Sequence, residues 1–306
     1  MSNSILGGVM RQFNIGWQRC LLTILAAWVA LPAAANTMAH IKETQTITIA
    51  HRESSVPFSF VNDGKPVGYS VDLCMKIVDA IKKELKLPQL KVNTLLVNTS
   101  TRIPAIAEGK ADLECGSTTN NAERRKQVAF TIPHFFATTR MVVRSDSGIK
   151  NWTDLKDKKV VTTKGTTTVK LLNDRDKARN LNVRLLEGAD HAESFNMVEN
   201  FQADAFAMDD VLLFGLRAKA KDPEKFSVVG EALSTEPYAI MFRKDDPAFK
   251  EFVDKEVSKL MNEGEVTRLY EKWFKKPIPP KATTLAMPMG FLLRDTIRFP
   301  TDKVAD

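Results

Sequence analysis

The chain has 306 residues, 43% hydrophobic and 26% charged, a balance that supports about two soluble domains with a sizeable core and excludes disorder, collagen-like repeats and a small disulfide scaffold. Forty-four basic side chains against 37 acidic ones leave a net charge of +7. Both signs are mixed along the whole chain, no basic run is interleaved with aromatics and no nucleic-acid module is present, so DNA and RNA are excluded as partners.

Residues 1–35 read as an export signal: Arg11 and Arg19 without an acid, an apolar stretch from Leu21 to Leu31, the helix breaker Pro32, then Ala33-Ala34-Ala35 as a cleavage site. An apolar run of that length, rising about 1.5 Å per residue, falls short of a hydrocarbon layer of about 30 Å, which favours a cleaved signal over a permanent anchor. Cys20 leaves with the signal. Cys74 and Cys115 remain in an oxidising compartment, and two is the number one bridge needs, against the competing reading of two unrelated buried thiols.

Strands and helices then alternate. Thr46 to Ala50 predicts a strand. Val71 to Leu85 predicts a helix with Val71, Cys74, Ile77, Val78, Ile81 and Leu85 on one face and Ser70 as its N-cap. A strand from Lys91 to Val97, a short helix from Ile103 to Ala107 closed by Gly109, and a strand from Ala111 to Gly116 complete a β-α-β-α-β series, the rhythm of a parallel sheet. A second series begins past Arg140. Its strands are Lys159 to Thr163, Val183 to Leu186 and Ala203 to Met208, and its helices Thr167 to Asn173, His191 to Glu199 and Asp210 to Lys219. Asp190 and Glu193 form a capping box on the middle helix. Pro237 to Phe242 is extended, Ala248 to Asn262 is helical up to Gly264, Thr267 to Phe274 is a last amphipathic set, and Pro277-Ile278-Pro279-Pro280 ends the regular structure. The connecting segments Thr138 to Arg144 and Pro237 to Phe242 read as strands, so the chain crosses from one lobe to the other and back, leaving a cleft between two α/β lobes. The expected division is a signal at 1–35, one lobe from 40–138 plus 240–276, a second from 139–239, and a tail at 277–306.

No metal or cofactor is expected. His40, His51, His134 and His191 have no metal-ligand spacing, and the chain has no Gly-x-Ser-x-Gly elbow, phosphate loop or dinucleotide fingerprint. Hydroxyl-rich strand-to-helix junctions are present instead: Ser117-Thr118-Thr119 leading towards Arg124, and Gly165-Thr166-Thr167-Thr168 opening a helix. Helix N-termini offer free N–H groups and partial positive charge suited to a carboxylate. Each junction alone is ordinary N-capping, and each of Arg52, Arg102 and Arg124 alone is a solvated surface residue. One arginine at every βα junction of the first lobe is a pattern that those separate readings do not explain.

The segment ECGSTTNNAERRKQVAF from Glu114 to Phe130 resembles the signature of the polar amino-acid periplasmic binding proteins of ABC importers. HRESSVPFSF, GYSVDLC, TSTRIP, WTDLKDKKVVTTKGTTT, DHAESF and AFAMDD follow the same family in order over about Thr46 to Pro280, and are most similar to its glutamate/aspartate branch. The resemblance implies a type II periplasmic-binding-protein fold, two α/β lobes joined by two crossover strands with a ligand cleft between them. It also implies a monomer in the periplasm that delivers L-glutamate or L-aspartate to a membrane permease. It assigns Arg124, Thr119 and the N–H groups near Thr167 to the ligand α-carboxylate, Ser117 and Asp209 to its ammonium, and Arg52, Thr99, Arg102 and His191 to its side-chain carboxylate. The residues favour an acidic ligand on their own account: one arginine and one aspartate satisfy a zwitterion, and two further buried arginines call for another negative charge. Two rival readings share this plan, an exported dehydratase-like enzyme and an anchored amino-acid sensor.

Overall fold

Ile49 and Ala50 point to opposite faces of the strand Thr46–His51 and are both buried, as an inner strand of a covered sheet requires. In the computed structural model, which describes residues 36–304, this strand pairs in parallel with Lys91–Leu96 and Leu113–Glu114. Met241–Arg243 runs antiparallel between Leu113–Glu114 and Val128–Phe130 and completes a five-stranded sheet. A second five-stranded sheet has the order Arg184–Gly188, Lys159–Thr163, Ala205–Asp209, Thr139–Arg144, Phe226–Val229. The alternation of strands and helices therefore produces sheets that are parallel except for one reversed strand each. Those two, Met241–Arg243 and Thr139–Arg144, are where the chain enters from the other lobe. The expected export signal lies outside the described residues, and no helix among the described residues is long and apolar enough to cross a membrane.

The crossing itself is a separate two-stranded ribbon, Phe135–Ala137 against Glu236–Tyr238, with Glu236 opposite Ala137 and Tyr238 opposite Phe135. Its first strand ends just before the expected segment Thr138 to Arg144, and its second takes in Pro237 and Tyr238 of the segment Pro237 to Phe242, while the later residues of both segments belong to the main sheets. Aromatic rings root the ribbon in the first lobe. Phe58 lies 4.8 Å from Phe135 and 5.0 Å from Tyr238, and Phe274 stacks 5.1 Å from Phe135 and 4.3 Å from Tyr270. Such pairs add about 0.5–1.5 kcal/mol each beyond their buried area.

Four elements differ from expectation. The first long helix is Tyr69–Leu85 with Gly68 as its cap, in place of Ser70. The N–H groups of Tyr69 and Ser70 donate to the carbonyls of Pro57 and Phe58, so loop backbone does what a side-chain cap would. A Cβ at Gly68 would lie 2.2 Å from the Phe58 carbonyl oxygen at φ +139, so only glycine fits. Ser70 Oγ instead bonds His134 Nε2 at 2.8 Å. The helix at Thr167 continues to Arg179, past Asn173; it buries only Thr168 and Leu172, so its later turns show no apolar period from which to read the extension. The strand expected from Ala111 to Gly116 pairs only over Leu113–Glu114. Regular structure does not end at Pro280: Ile278 bridges Thr283, and Phe291–Arg298 forms an amphipathic helix that buries Leu293 and Thr296. This tail lies against the first lobe, where Tyr270 Oη donates to the Pro288 carbonyl at 3.0 Å.

Cys74 and Cys115 form a disulfide with their Cα atoms 6.1 Å apart, tying the first long helix to the end of a strand.

Candidate functional site

Parallel strands end on the cleft side of each lobe, and the residues that follow them turn into helix N-termini facing the opposite lobe. From the first lobe Thr99, Arg102, Ser117, Thr119 and Arg124 line one enclosed cavity, and from the second Thr167, His191 and Asp209 complete it. The cavity holds about 210 Å³ of space between atoms, of which about 10 Å³ admits the centre of a water molecule. The lobes are thus shut over it. Arg52 lies at the rim, lining a second space of about 350 Å³ at the cleft mouth while its Nη2 meets His191 Nε2 at 3.5 Å.

Contacts across the cleft close the mouth. Thr99 Oγ1 donates to the Lys164 carbonyl at 2.5 Å, and Arg124 Nη2 donates to the Gly165 carbonyl at 3.5 Å. Arg124 sits on the short helix Ala122–Arg125, started by Asn121, whose side chain accepts from the Arg124 N–H. Its Nη1 donates to the Thr119 carbonyl at 3.0 Å. Arg102 opens the helix Arg102–Ala107 and reaches the Ser117 carbonyl at 3.4 Å through Nη1. Arg102 Nε, Ser117 Oγ, and Arg52 Nε and Nη1 are buried and have no hydrogen-bond partner in the protein, leaving strong donors that an anion would satisfy.

The second lobe adds a helix head with free donors. Thr166 precedes the helix Thr167–Arg179 without a side-chain cap bond, and its hydroxyl donates back to the Thr163 carbonyl at 2.7 Å. His191 heads the helix His191–Glu199, with Nδ1 2.9 Å from Thr163 Oγ1. Burial, and then Arg52 and Arg102, hold the imidazole well below its usual value. His191 is therefore neutral. Its Nε2 faces a guanidinium and accepts, so the proton is on Nδ1 and donates to Thr163.

Charges are concentrated here. Burial pushes Arg52 and Arg124 down to about 9, with Arg102 repelling both, and burial also lowers Arg102. Asp209 accepts from Tyr238 Oη on one carboxylate oxygen and has Thr139 Oγ1 3.5 Å from the other. Burial and Glu236 push its carboxyl well above the usual range. Two carboxylates enter the site that sequence reasoning missed. Glu114 is fully buried, accepts from Thr118 Oγ1 at 2.8 Å and lends favourable charge to Arg52 and Arg102. Glu236 accepts from Thr119, Thr167 and Ser234 hydroxyls. The protein thus supplies part of the counter-charge that the sequence argument gave entirely to the ligand. An acid inside the apolar run Leu113-Glu114-Cys115 was the available signal for the first, and an acid directly before the extended run at Pro237 for the second.

The family profile described as bacterial extracellular solute-binding proteins, family 3, matches residues 47–276. An L-glutamate/L-aspartate-binding protein of Pseudomonas aeruginosa is 47% identical over 92% of this chain and 96% of its own. A glutamate/aspartate import solute-binding protein of Escherichia coli is 43% identical over 90% of this chain and 91% of its own. Among solved structures, the solute receptor for L-cysteine of Neisseria gonorrhoeae superposes with a TM-score of 0.68 at 28% identity, covering 78% of this chain and 93% of that one.

Proposed function

This chain belongs to family 3 of the bacterial extracellular solute-binding proteins, and we propose that it captures glutamate or aspartate between its two lobes and delivers it to the membrane permease of an ABC importer. Arg102 and Arg124, buried on one shut cavity, and Arg52, buried beside it, carry the reading, with donors of Arg52 and Arg102 left unpartnered. Glu114, Glu236 and Asp209 face them, and Asp209 is pushed towards its neutral form. The weakened negative charge of Asp209 leaves the set leaning positive, which the second carboxylate of a dicarboxylic amino acid offsets and an amide does not.

Arg124 takes the α-carboxylate with the N–H groups at the head of Thr167–Arg179, a planar fork against two oxygens. Ser117 and Asp209 take the ammonium. Arg102 and Arg52 take the side-chain carboxylate, His191 holds Arg52 in place, and Thr99 shuts the rim on Lys164. The moving bodies are residues 40–138 with 240–276 and residues 139–239. The chain works in the periplasm after loss of residues 1–35, an oxidising setting that suits its disulfide. It is a carrier and returns its ligand unchanged, since the one carboxyl suited to acid chemistry, Asp209, is engaged by Tyr238 and Thr139.

Calorimetric titration of the mature chain with glutamate, aspartate, glutamine, asparagine and arginine tests this. The two acids are expected to bind tightest, and the ligand recovered from the protein to be unaltered by NMR. Preferential binding of arginine, or conversion of the bound acid, would overturn the reading.

A further inference from the structure

We propose that Glu236 is a closure latch: its carboxylate, carried on the returning crossover strand, ties Thr119 of the first lobe to Thr167 of the second and decides which donors at that end of the cavity remain for a ligand carboxylate. The proposal rests on the ligand reading above and adds a residue to it. Glu236 Oε2 accepts from Thr119 Oγ1 at 2.8 Å and from Thr167 Oγ1 at 3.0 Å, residues 117 and 69 positions away in the chain. Its other oxygen accepts from Ser234 Oγ at 2.7 Å. The carboxylate is 5% exposed, so these hydroxyls replace the water it has given up.

A hydroxyl has one proton to donate. While Thr119 and Thr167 give theirs to Glu236, neither can offer an O–H to a ligand, and the donors left at that end are the Arg124 fork and the uncapped N–H groups heading Thr167–Arg179. Glu236 also lends Arg124 its largest favourable charge. Thr119 belongs to one moving body and Thr167 to the other, while Glu236 stands on the ribbon that joins them, so opening the cleft parts the two threonines and breaks one of the two bonds. The latch therefore acts on release and not on encounter. Ser234 Oγ, its proton given to Glu236, accepts from Thr139 Oγ1 at 2.8 Å, so the hydroxyl that holds the second carboxylate oxygen is itself held.

Stopped-flow binding of L-glutamate to the mature chain separates this role from a merely structural one. Glu236→Ala is expected to speed dissociation about 30-fold with association within about twofold, and Thr167→Val to speed it about fivefold. The double variant should release no faster than Glu236→Ala alone, because the two substitutions break one contact. Glu236→Asp keeps the charge but is one methylene shorter and cannot span both threonines, so it too should release faster, and it carries the test if the alanine variant does not fold. Dissociation at the wild-type rate in Glu236→Ala or Glu236→Asp, or effects that multiply in the double variant, would overturn the latch. Failure of wild type to bind glutamate or aspartate at all would instead overturn the ligand reading.

Discussion

The two lobes share one strand-and-helix plan and arm the cleft with different chemistry. The first contributes guanidiniums, Arg52, Arg102 and Arg124, with the buried Glu114 beside two of them. The second contributes hydroxyls, a neutral imidazole, an uncapped helix head and one carboxyl pushed towards neutrality. The first lobe also holds the disulfide and the aromatic cluster. Fixed charge is therefore stored in the cross-linked lobe, and the lobe opposite it carries no guanidinium into the cavity. On the proposed reading, recognition of ligand charge falls mainly to the first lobe and closure to the second.

Removing the stored charge should have the largest effect. Arg124→Ala is expected to weaken every amino-acid ligand by about 2–5 kcal/mol, roughly 30-fold to several thousand-fold, since all of them present an α-carboxylate. Arg102→Ala should weaken glutamate and aspartate while sparing glutamine and asparagine. Titration of both variants with an acid and its amide reads the difference. Equal losses for glutamate and glutamine in Arg102→Ala would remove that arginine from the side-chain end.

The stiffness of the first lobe can be reduced without touching the cleft. Replacing Cys74 and Cys115 by serine reopens a loop with a sequence separation of 41, at a cost of about 2–4 kcal/mol in unfolding free energy. Urea denaturation with and without reductant checks it. Glutamate affinity should stay within about threefold, because neither cysteine lines the cavity. A large affinity loss would show that the charged lobe depends on the bridge for its binding geometry as well as for stability.

Each lobe also buries a histidine held neutral, His134 in the first at about 3 and His191 in the second well below 6.5. Burial is the main cause in both, and in the unfolded chain each titrates near 6.5. The unfolded state therefore binds more protons below that pH. The stability from neutral burial is complete above about pH 6.5 and is lost as pH falls, by up to about 1.4 kcal/mol per pH unit for each histidine. His134→Gln and His191→Gln should each flatten the fall in denaturation free energy between pH 7 and pH 5. A wild-type stability that does not change over that range would contradict the buried neutral state of both.

Much of the site is legible in the amino-acid sequence because its residues stand at strand-to-helix junctions, and alternation of strands and helices carries such junctions to one side of a sheet. Thr99, Arg102, Ser117, Thr119, Arg124, Thr167, His191 and Asp209 meet at one cavity for that reason. Glu114 and Glu236 were not legible. An acid in an alternating strand looks solvent-facing unless both faces are covered, and covering depends on helices distant in sequence. An acid before proline looks like a loop residue, and only the crossing of two chain segments buries it. The partners of hydroxyls were equally hidden: Thr119 and Thr167 read as ligand donors, and the structure turns both to Glu236. The tail helix was missed although its apolar and charged residues separate strongly about the helix axis, a signal that was there to read.

The smallest expected effect sharpens the division between recognition and closure most directly. Gly165 is one of the points where the second lobe touches the first. Its φ is +75, and a Cβ there would lie 3.0 Å from both Ser100 Oγ and the Thr99 carbonyl oxygen across the cleft. Gly165→Ala therefore meets two separate penalties. The left-handed backbone conformation costs an alanine about 1 kcal/mol whether the lobes are open or shut, and lowers the melting temperature of the ligand-free protein by a few degrees. The cross-cleft crowding exists only in the shut form, so it should weaken binding by about three- to tenfold. Because it acts on closure and touches no ligand group, the loss should be the same factor for glutamate, aspartate and glutamine, unlike that of Arg102→Ala. Calorimetry with the three ligands and solution scattering at saturation provide the measurements. Unequal factors would mean that the Gly165 turn takes part in recognition, and the second lobe would then read ligand identity as well as shut over it.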